Sequence, residues 1–201
     1  MSDVPNPVTM RAMAGLRDSP PAVADSIVVV IDAQREYLDG RLPLPDIDSA
    51  LGSIELILAA ARQAGAPVVH VAHQGRPGGT FAPGAGGLII DRVAPIGGEV
   101  VVAKTFPNSF AGTELAEVLA GYPERSLVLC GFMTHMCVSS TARAALDLGL
   151  DTTVIADACA TRALPALGTG EPIAADTLHR VALTELADRF SVIATTGDFL
   201  S

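Results

Sequence analysis

The chain has 201 residues, of which 49% are apolar, and its mean hydropathy of +0.42 indicates a folded domain rather than a disordered chain. Its formal net charge of −9 argues against nucleic acid or an anionic membrane as partner, because either would require a basic face. No apolar run approaches the roughly 18–20 residues of a membrane span, no signal-peptide pattern opens the chain, and three cysteines make no disulfide framework; we expect a cytoplasmic protein.

The first 25 residues differ in pattern from the remainder of the chain. Residues 1–25 are rich in proline, and we expect an N-terminal arm that packs on the body or on a neighbouring subunit, with a helical turn or two near residues 10–16. Residues 26–201 are predicted to form one domain, because no linker or internal repeat divides them.

Strands and helices alternate along residues 26–201. The strands are short apolar runs typical of burial on both faces, and the helices have apolar residues three and four apart. Strands are predicted over 26–31, 67–72, 99–103, 126–130, 152–156 and 191–194, and helices over 48–64, 113–120, 137–148 and 174–189. This alternation predicts an α/β fold, with a parallel sheet covered by helices on both faces.

Three chemically distinct side chains follow the ends of predicted strands. Asp32 follows the first strand, Lys104 the third, and Cys137 comes after a tight turn that follows the fourth. Ligands of parallel sheets bind at the carboxyl ends of the strands, so we expect these side chains to meet there. A carboxylate, an ammonium group and a thiol are the set needed for nucleophilic acyl chemistry. The start of a helix at Cys137 would favour its thiolate form.

Each of these residues has a structural interpretation when it is considered alone. A single cysteine is more often a buried packing residue, an aspartate after a strand often caps a turn, and a lysine there is often a solvated charge. Their joint placement at strand ends is much less expected by chance and favours a site.

Four segments of the sequence resemble the isochorismatase-like cysteine hydrolases, which include nicotinamidases and N-carbamoylsarcosine amidases. These segments are residues 31–34 (IDAQ), 104–113 (KTFPNSFAGT), 131–138 (GFMTHMCV) and 157–161 (DACAT), and the resemblance runs from about residue 26 to the C-terminus. It implies a three-layer α/β/α fold whose six-stranded parallel sheet has the order 3-2-1-4-5-6. It also implies that Asp32, Lys104 and Cys137 are the catalytic residues.

The resemblance implies further details of the turn before Cys137. The backbone N–H groups of Met133 and Cys137 match the oxyanion hole of the family. The Phe132–Met133 bond matches a cis peptide that does not involve proline. We disfavour a pair between Cys137 and His135, because residues two apart at the start of a helix point in different directions.

Six further residues are weaker candidates for contact with a substrate. They are Gln34, Tyr37, His73, Phe106, Phe110 and Thr134. Tyr37 has the alternative of a half-buried loop anchor, and the two phenylalanines could pack the next helix instead. The loop of residues 73–87 carries six glycines, and we expect it to decide substrate identity as a mobile lid. The alternative is a flexible surface loop or a subunit contact.

A metal site is not expected, and neither is a cofactor. Nicotinamidases hold a metal with an Asp-x-His pattern and further histidines near the second strand, whereas this chain has His70 and His73 without the aspartate. Residues three apart in a strand point to opposite faces, so these histidines could not share an ion. Nicotinamide is therefore disfavoured as the substrate.

The predicted function is that of a metal-independent cysteine hydrolase. It would cleave a C–N bond of a small amide, ureide or carbamoyl compound through a thioester. One alternative is hydrolysis of a vinyl ether C–O bond, as in isochorismatases, which generally lack the cysteine. The other is a non-catalytic binding or redox-sensing protein that uses Cys137. The expected partner is a small-molecule substrate, with no nucleic acid and no membrane, and we expect a homodimer or larger homo-oligomer.

Overall fold

A computed structural model describes residues 6–168 and 170–201, and six strands in it form a single parallel sheet. The strands are β1 (Ser26–Ile31), β2 (Val68–His73), β3 (Val100–Lys104), β4 (Ser126–Phe132), β5 (Thr152–Ala160) and β6 (Ser191–Ala194). The helices are α1 (Met10–Met13), α2 (Ile47–Gln63), α3 (Leu115–Ala120), α4 (Ser139–Asp147), α5 (Ala175–Arg189) and α6 (Thr196–Leu200). The strand order β3-β2-β1-β4-β5-β6 confirms the predicted topology.

The sheet is the middle of three layers, as β1 illustrates. Val28 and Val30 belong to one apolar core with the inner face of α2. Ile27, Val29 and Ile31 belong to a second core with α3, α4 and α5. A strand buried on both faces has no polar side to display, which explains its unbroken apolar sequence.

Strand β5 is longer than its sequence predicts. The prediction ended it at residue 156 because Asp157 is polar, but the strand continues to Ala160. The pairing of β5 with β4 shifts register between Leu129 and Gly131, and this irregularity lets Asp157 leave the sheet. Its carboxylate accepts hydrogen bonds from the backbone N–H and the hydroxyl of Thr196 at the start of α6, at 2.8 and 3.0 Å.

Two smaller differences concern helices. Helix α3 begins at Leu115 rather than residue 113, because the Thr113 hydroxyl donates to the Ser109 carbonyl and keeps the preceding segment in turns. Residues 134–138, of which 137–138 were assigned to the long helix, form a separate π-helical turn before α4.

The described part of the N-terminal arm packs on the body of the same chain. Arg11 and Arg17 both reach the Asp151 carboxylate, at 3.4 and 2.8 Å, and the Met10 N–H donates to Asp188 at 2.9 Å. Helix α1 lies against α5. Within the described residues, no helix combines the length and apolar character that crossing a membrane requires.

Candidate active site

Asp32, Lys104 and Cys137 converge where the strand order reverses, between β1 and β4. Asp32 directly follows β1, Lys104 ends β3, and Cys137 lies in the turn after β4. The Lys104 side chain extends past β2, and its Nζ lies 2.6 Å from Asp32 Oδ2, with both side chains fully buried. The Cys137 thiol lies close enough to Asp32 and Lys104 for their charges to shift its pKa. The structure thus brings together the three predicted side chains.

The backbone turns sharply at Asp32. Its φ of 50° lies in the left-handed region, which aspartate tolerates better than most residues. The Asp32 N–H donates to the Val71 carbonyl at 2.8 Å, and the Gln34 N–H donates to the Asp32 carbonyl at 2.7 Å. Apart from the ion pair with Lys104, the Asp32 carboxylate has no hydrogen-bond partner among residues 6–168 and 170–201.

Burial has the largest effect on the pKa values of Asp32 and Cys137. Burial raises the pKa of Asp32, and the adjacent Lys104 ammonium opposes this shift. Burial, followed by the charge of Asp32, raises the pKa of Cys137 to about 12 despite the opposing effect of Lys104. Burial thus opposes the Cys137 thiolate that the start of a helix was expected to favour, and Cys137 lies in the π-helical turn rather than at the start of α4.

The turn before Cys137 depends on Gly131 and a cis peptide. Gly131 has a φ of +115°, and a Cβ at this position would lie 2.0 Å from the Ile31 carbonyl oxygen, so only glycine fits against β1. The Phe132–Met133 bond is cis, as the resemblance implies. The Met133 carbonyl accepts from the N–H groups of Met136 and Val138, at 3.0 and 3.3 Å. The Met133 N–H has no acceptor in the described part of the chain.

Both side chains that follow Met133 are hydrogen-bonded away from Cys137. His135 Nδ1 is paired with the Thr161 hydroxyl, which agrees with the disfavoured role of His135 as a partner of the thiol. Thr134 is fully buried, and its hydroxyl lies 2.9 Å from His179 Nδ1 on α5.

The Gln34 side chain links two backbone segments beside the site through hydrogen bonds. Its Nε2 donates to the carbonyls of His73 and Gly87, at 2.9 and 2.7 Å, and its Oε1 accepts from the His73 N–H at 2.8 Å. The amide is fully buried and has no free polar atom to offer a substrate. Gln34 therefore holds the loop after β2 against the end of β1.

The glycine-rich loop of residues 73–87 is held in place by hydrogen bonds and aromatic packing. Glu36 Oε2 accepts from the Phe81 N–H at 3.0 Å, and the Glu36 N–H donates to the Gly86 carbonyl at 2.9 Å. The Phe81 ring packs on Tyr37 and His73, with centroids 5.2 and 4.9 Å apart. A Cβ on Gly86 would lie 2.0 Å from Glu36 Oε2, so this glycine serves close approach instead of mobility.

The remaining aromatic candidates occupy different surroundings. Tyr37 is buried at 2% exposure and lies close enough to Cys137 and Asp32 for their charges to raise its pKa, although burial is the larger cause. Phe106 is 59% exposed, and its carbonyl accepts from Lys104 Nζ at 3.2 Å. Phe110 is half-buried against the core beneath α3 and α5, which matches the alternative that it packs a helix.

Arg162 was not singled out in the sequence. It follows segment 157–161 directly, and its charge is close enough to influence the pKa values of Tyr37 and His135. Its Nε is buried without a hydrogen-bond partner in the described residues, and its Nη1 reaches only the Ala163 carbonyl at 3.3 Å. A guanidinium group so placed is suited to an anion. The signal in the sequence that could have drawn attention to Arg162 was its position directly after segment 157–161.

The two histidines of β2 lie in separate surroundings. His70 is buried, and its Nε2 lies 3.1 Å from Glu99, which also binds Arg62 at 2.8 Å. His73 instead lies near Asp32 and Lys104, and burial lowers its pKa. The described residues contain no cluster of three or more histidine, cysteine, aspartate or glutamate side chains that could hold a metal ion.

Comparisons with known proteins agree with this fold. The family model named Isochorismatase domain matches residues 26–198. An isochorismatase from Pseudomonas putida KT2440 superposes with a TM-score of 0.91 at 40% identity, over 96% of this chain and 99% of that one. The secreted isochorismatase effector Isc1 of Verticillium dahliae is 37% identical over 94% of this chain and 98% of its own length. A streptothricin hydrolase of Streptomyces noursei is 34% identical over 93% of this chain and 76% of its own length. The chain thus belongs to the isochorismatase family of hydrolases.

Proposed function

We propose that this chain is a metal-independent cysteine hydrolase that cleaves a C–N bond of a small amide, ureide or carbamoyl compound. The observation that carries the proposal is the buried Cys137 thiol beside the buried Asp32–Lys104 ion pair. A neutral thiol is a weak nucleophile, and an adjacent carboxylate is the group that could activate it. The similarity to a streptothricin hydrolase gives further support for hydrolysis.

The proposed reaction has two halves. The Cys137 sulfur attacks the substrate carbonyl while Asp32 takes the thiol proton, and the N–H groups of Met133 and Cys137 bind the oxyanion. Asp32 returns that proton to the leaving nitrogen, the C–N bond breaks, and a thioester remains. Water then attacks the thioester as Asp32 accepts its proton, and the sulfur leaves and is reprotonated. Throughout the reaction, Lys104 favours the ionised form of Asp32 against the effect of burial.

Arg162 suggests that the substrate is anionic. Its guanidinium lies near Tyr37 and His135 at the site, and its buried Nε has no partner among the described residues. A carboxylate on the substrate would satisfy this group with charge-assisted hydrogen bonds. We therefore propose that the preferred amide or ureide carries a carboxylate a few bonds from the scissile bond.

The rival activity is hydrolysis of a vinyl ether. Relatives named as isochorismatases favour it, and so does the raised pKa of Asp32, because that reaction needs a protonated acid rather than a nucleophile. The two activities differ in their need for sulfur. Only the amide reaction requires Cys137.

A screen with ammonia detection tests the proposal. N-carbamoylglycine and related carboxylated ureides and amides would be compared with neutral alkyl analogues, using Cys137→Ala as the blank. Wild-type protein should release ammonia at least about 10³-fold faster than Cys137→Ala, by analogy with other nucleophile deletions. Arg162→Met should raise KM for the carboxylated compounds at least about tenfold, from the lost charged hydrogen bond, and leave the neutral ones unchanged.

Two results would count against this function. Equal ammonia release by wild-type protein and Cys137→Ala would remove the role of the thiol. Hydrolysis of isochorismate that survives in Cys137→Ala would favour the vinyl ether reaction. Equal effects of Arg162→Met on carboxylated and neutral compounds would remove the anionic substrate alone.

A further inference from the structure

The turn that carries Met133 and Cys137 is tethered on two sides by pairs of threonine and histidine. On one side the Thr134 hydroxyl lies 2.9 Å from His179 Nδ1, and on the other the His135 ring is paired with the Thr161 hydroxyl. Thr134 is fully buried and follows Met133 directly. The His179 tether therefore reaches the turn beside its proposed oxyanion donor.

The turn is also held by hydrogen bonds within its own backbone, but these do not fix its position against the helices. The Met133 carbonyl accepts two N–H groups of the same turn, which sets the turn's internal shape. Among the described residues, the Thr134–His179 pair is the hydrogen bond between side chains that joins the turn to α5. A displacement of about 1 Å in a catalytic group can cost about 10²-fold in rate, so this anchoring bears directly on catalysis.

The surroundings of His179 favour a neutral ring that forms a directional hydrogen bond. Burial lowers its pKa, so its ring is neutral near pH 7, and its hydrogen bond to Thr134 carries no net charge into the site. His179 and Thr161 both line a cavity of about 250 Å³ between the starts of α2 and α5 and the end of β5. The two tethers therefore share one cavity beside the catalytic turn.

We propose that His179 is a positioning residue that acts through the Thr134 hydroxyl to hold the Met133 N–H where the oxyanion forms. This role rests on the proposed thioester reaction, because only an oxyanion intermediate needs that N–H. His179 itself does not touch the reacting atoms in this scheme. Its loss should weaken oxyanion binding while the thiol itself stays equally accessible.

Paired variants separate positioning from packing. His179→Leu and Thr134→Val remove the hydrogen bond, whereas His179→Asn and Thr134→Ser keep a polar atom near the original position. Thr184→Val on α5 is the matched control, because its hydroxyl donates to the Arg180 carbonyl of the same helix, away from the turn. Each variant would be measured with the substrate found by the ammonia screen and with two thiol probes.

The two probes respond differently to the turn. Succinic semialdehyde forms a thiohemiacetal with Cys137, whose former carbonyl oxygen would occupy the oxyanion position, whereas iodoacetamide alkylates the thiol without forming an oxyanion. We expect the two disruptive variants to lose about 10-fold to 10²-fold in kcat and in aldehyde affinity, the range for one misplaced donor. KM and the iodoacetamide rate should stay within about threefold, since substrate binding and thiol access are unchanged. His179→Asn and Thr134→Ser should restore most of the loss, and Thr184→Val should behave as wild type.

The outcomes distinguish a failure of the His179 positioning role from a failure of the proposed thioester reaction. Wild-type kcat and aldehyde affinity in His179→Leu would overturn the positioning role and leave the thioester reaction intact. An equal loss in His179→Asn and His179→Leu, with the alkylation rate changed as well, would mean a packing role and would also overturn it. A wild-type protein that binds no aldehyde, and whose turnover survives Cys137→Ala, would remove the thioester reaction and the positioning role together.

Discussion

Single residues set the charge state of the site. The Asp32–Lys104 pair is fully buried, and such a pair is costly to break because the remaining charge loses both its partner and water. Burial, and after it the charge of Asp32, raises the pKa of Cys137. The carboxylate therefore suppresses the thiolate at rest, yet in the proposed reaction it is the base that produces the nucleophile.

Replacing Asp32 by asparagine should separate these two effects. Without the carboxylate charge, the Cys137 pKa should fall from about 12, because Asp32 raises it and Lys104 remains to lower it. More thiolate should then be present at pH 9 than in wild type, measured by thiolate absorbance at 240 nm against the Cys137→Ala blank. Ammonia release should nevertheless fall by about 10²-fold to 10⁴-fold, since no general base remains.

Two results would contradict this expectation. A thiolate titration that moves to higher pH would mean that Asp32 does not raise the Cys137 pKa. Retained turnover in Asp32→Asn would remove Asp32 as the base.

Among the structural elements, the segment after β1 organises the site. Gln34 binds the end of β2 and the glycine-rich loop, while the Glu36 carboxylate binds the Phe81 N–H of the same loop. These bonds keep Phe81 against Tyr37, which lies near Asp32 and Cys137. The position of Phe81 and Tyr37 at the site therefore depends on the Gln34 and Glu36 side chains, which follow Asp32 in the sequence.

Glu36→Gln should loosen the loop without unfolding the protein. The carboxylate accepts from the N–H groups of Phe81 and Arg41, and an amide would present a donor to one of them, which costs about 1–3 kcal/mol for a buried unpaired group. We expect faster hydrogen exchange in residues 76–87 and a higher KM for the screened substrate. Asp39→Asn is the control, because Asp39 is an exposed acid paired with Arg35 on the same segment. Unchanged exchange in Glu36→Gln would mean that the loop is held by packing alone.

At the scale of the whole molecule, the described arm is a part of the folded body. The Arg11 side chain is nearly buried, donates to the Arg17 carbonyl and reaches Asp151 in the turn between α4 and β5. The arm thus connects the start of the chain to the side of the sheet that carries α4 and α5. The homo-oligomer stays a prediction, and so does a cytoplasmic location, since the similar Verticillium dahliae protein is named as secreted.

Asp151→Asn should release the arm while sparing the candidate active site. Its carboxylate is shared by Arg11 and Arg17, and charged hydrogen bonds of this kind contribute about 1.5–3 kcal/mol each when partly buried. The free energy of unfolding should fall by about 1–3 kcal/mol, in urea titrations, and protease should cut within residues 6–25 sooner. Asp147→Asn, an exposed acid four residues earlier, is the control. A variant as stable and as resistant as this control would mean that packing of α1 on α5 suffices.

The sequence predicts the sheet well because its strands are short apolar runs between clear turns. Asp32 and Lys104 could be expected at one edge, since strand ends in a parallel sheet share an edge. The continuation of β5 could not, because Asp157 leaves the sheet to bind Thr196 and so resembles a strand end. Helix α6 did have a signal, as Thr195 and Asp198 form a reciprocal capping box.

Features that depend on packing between distant segments were beyond the sequence. The pairing of His179 with Thr134 joins residues 45 positions apart, and no spacing rule brings them together. The pKa of Cys137 also depends on its burial, which the sequence does not show. Arg162 becomes informative only when its buried Nε is seen without a partner in the described residues.

The protonated state of Cys137 has a consequence for oxidation. Peroxide attacks the thiolate, and cysteines that sense oxidants are exposed and have low pKa values. Cys137 has the opposite properties, since it is 5% exposed and its pKa is about 12, and Cys130 and Cys159 are buried with raised pKa values as well. Conversion of Cys137 to sulfenic acid should therefore be slow in the absence of substrate. Burial and the Asp32 carboxylate, which together raise the pKa of Cys137, should thus also protect this thiol from oxidation.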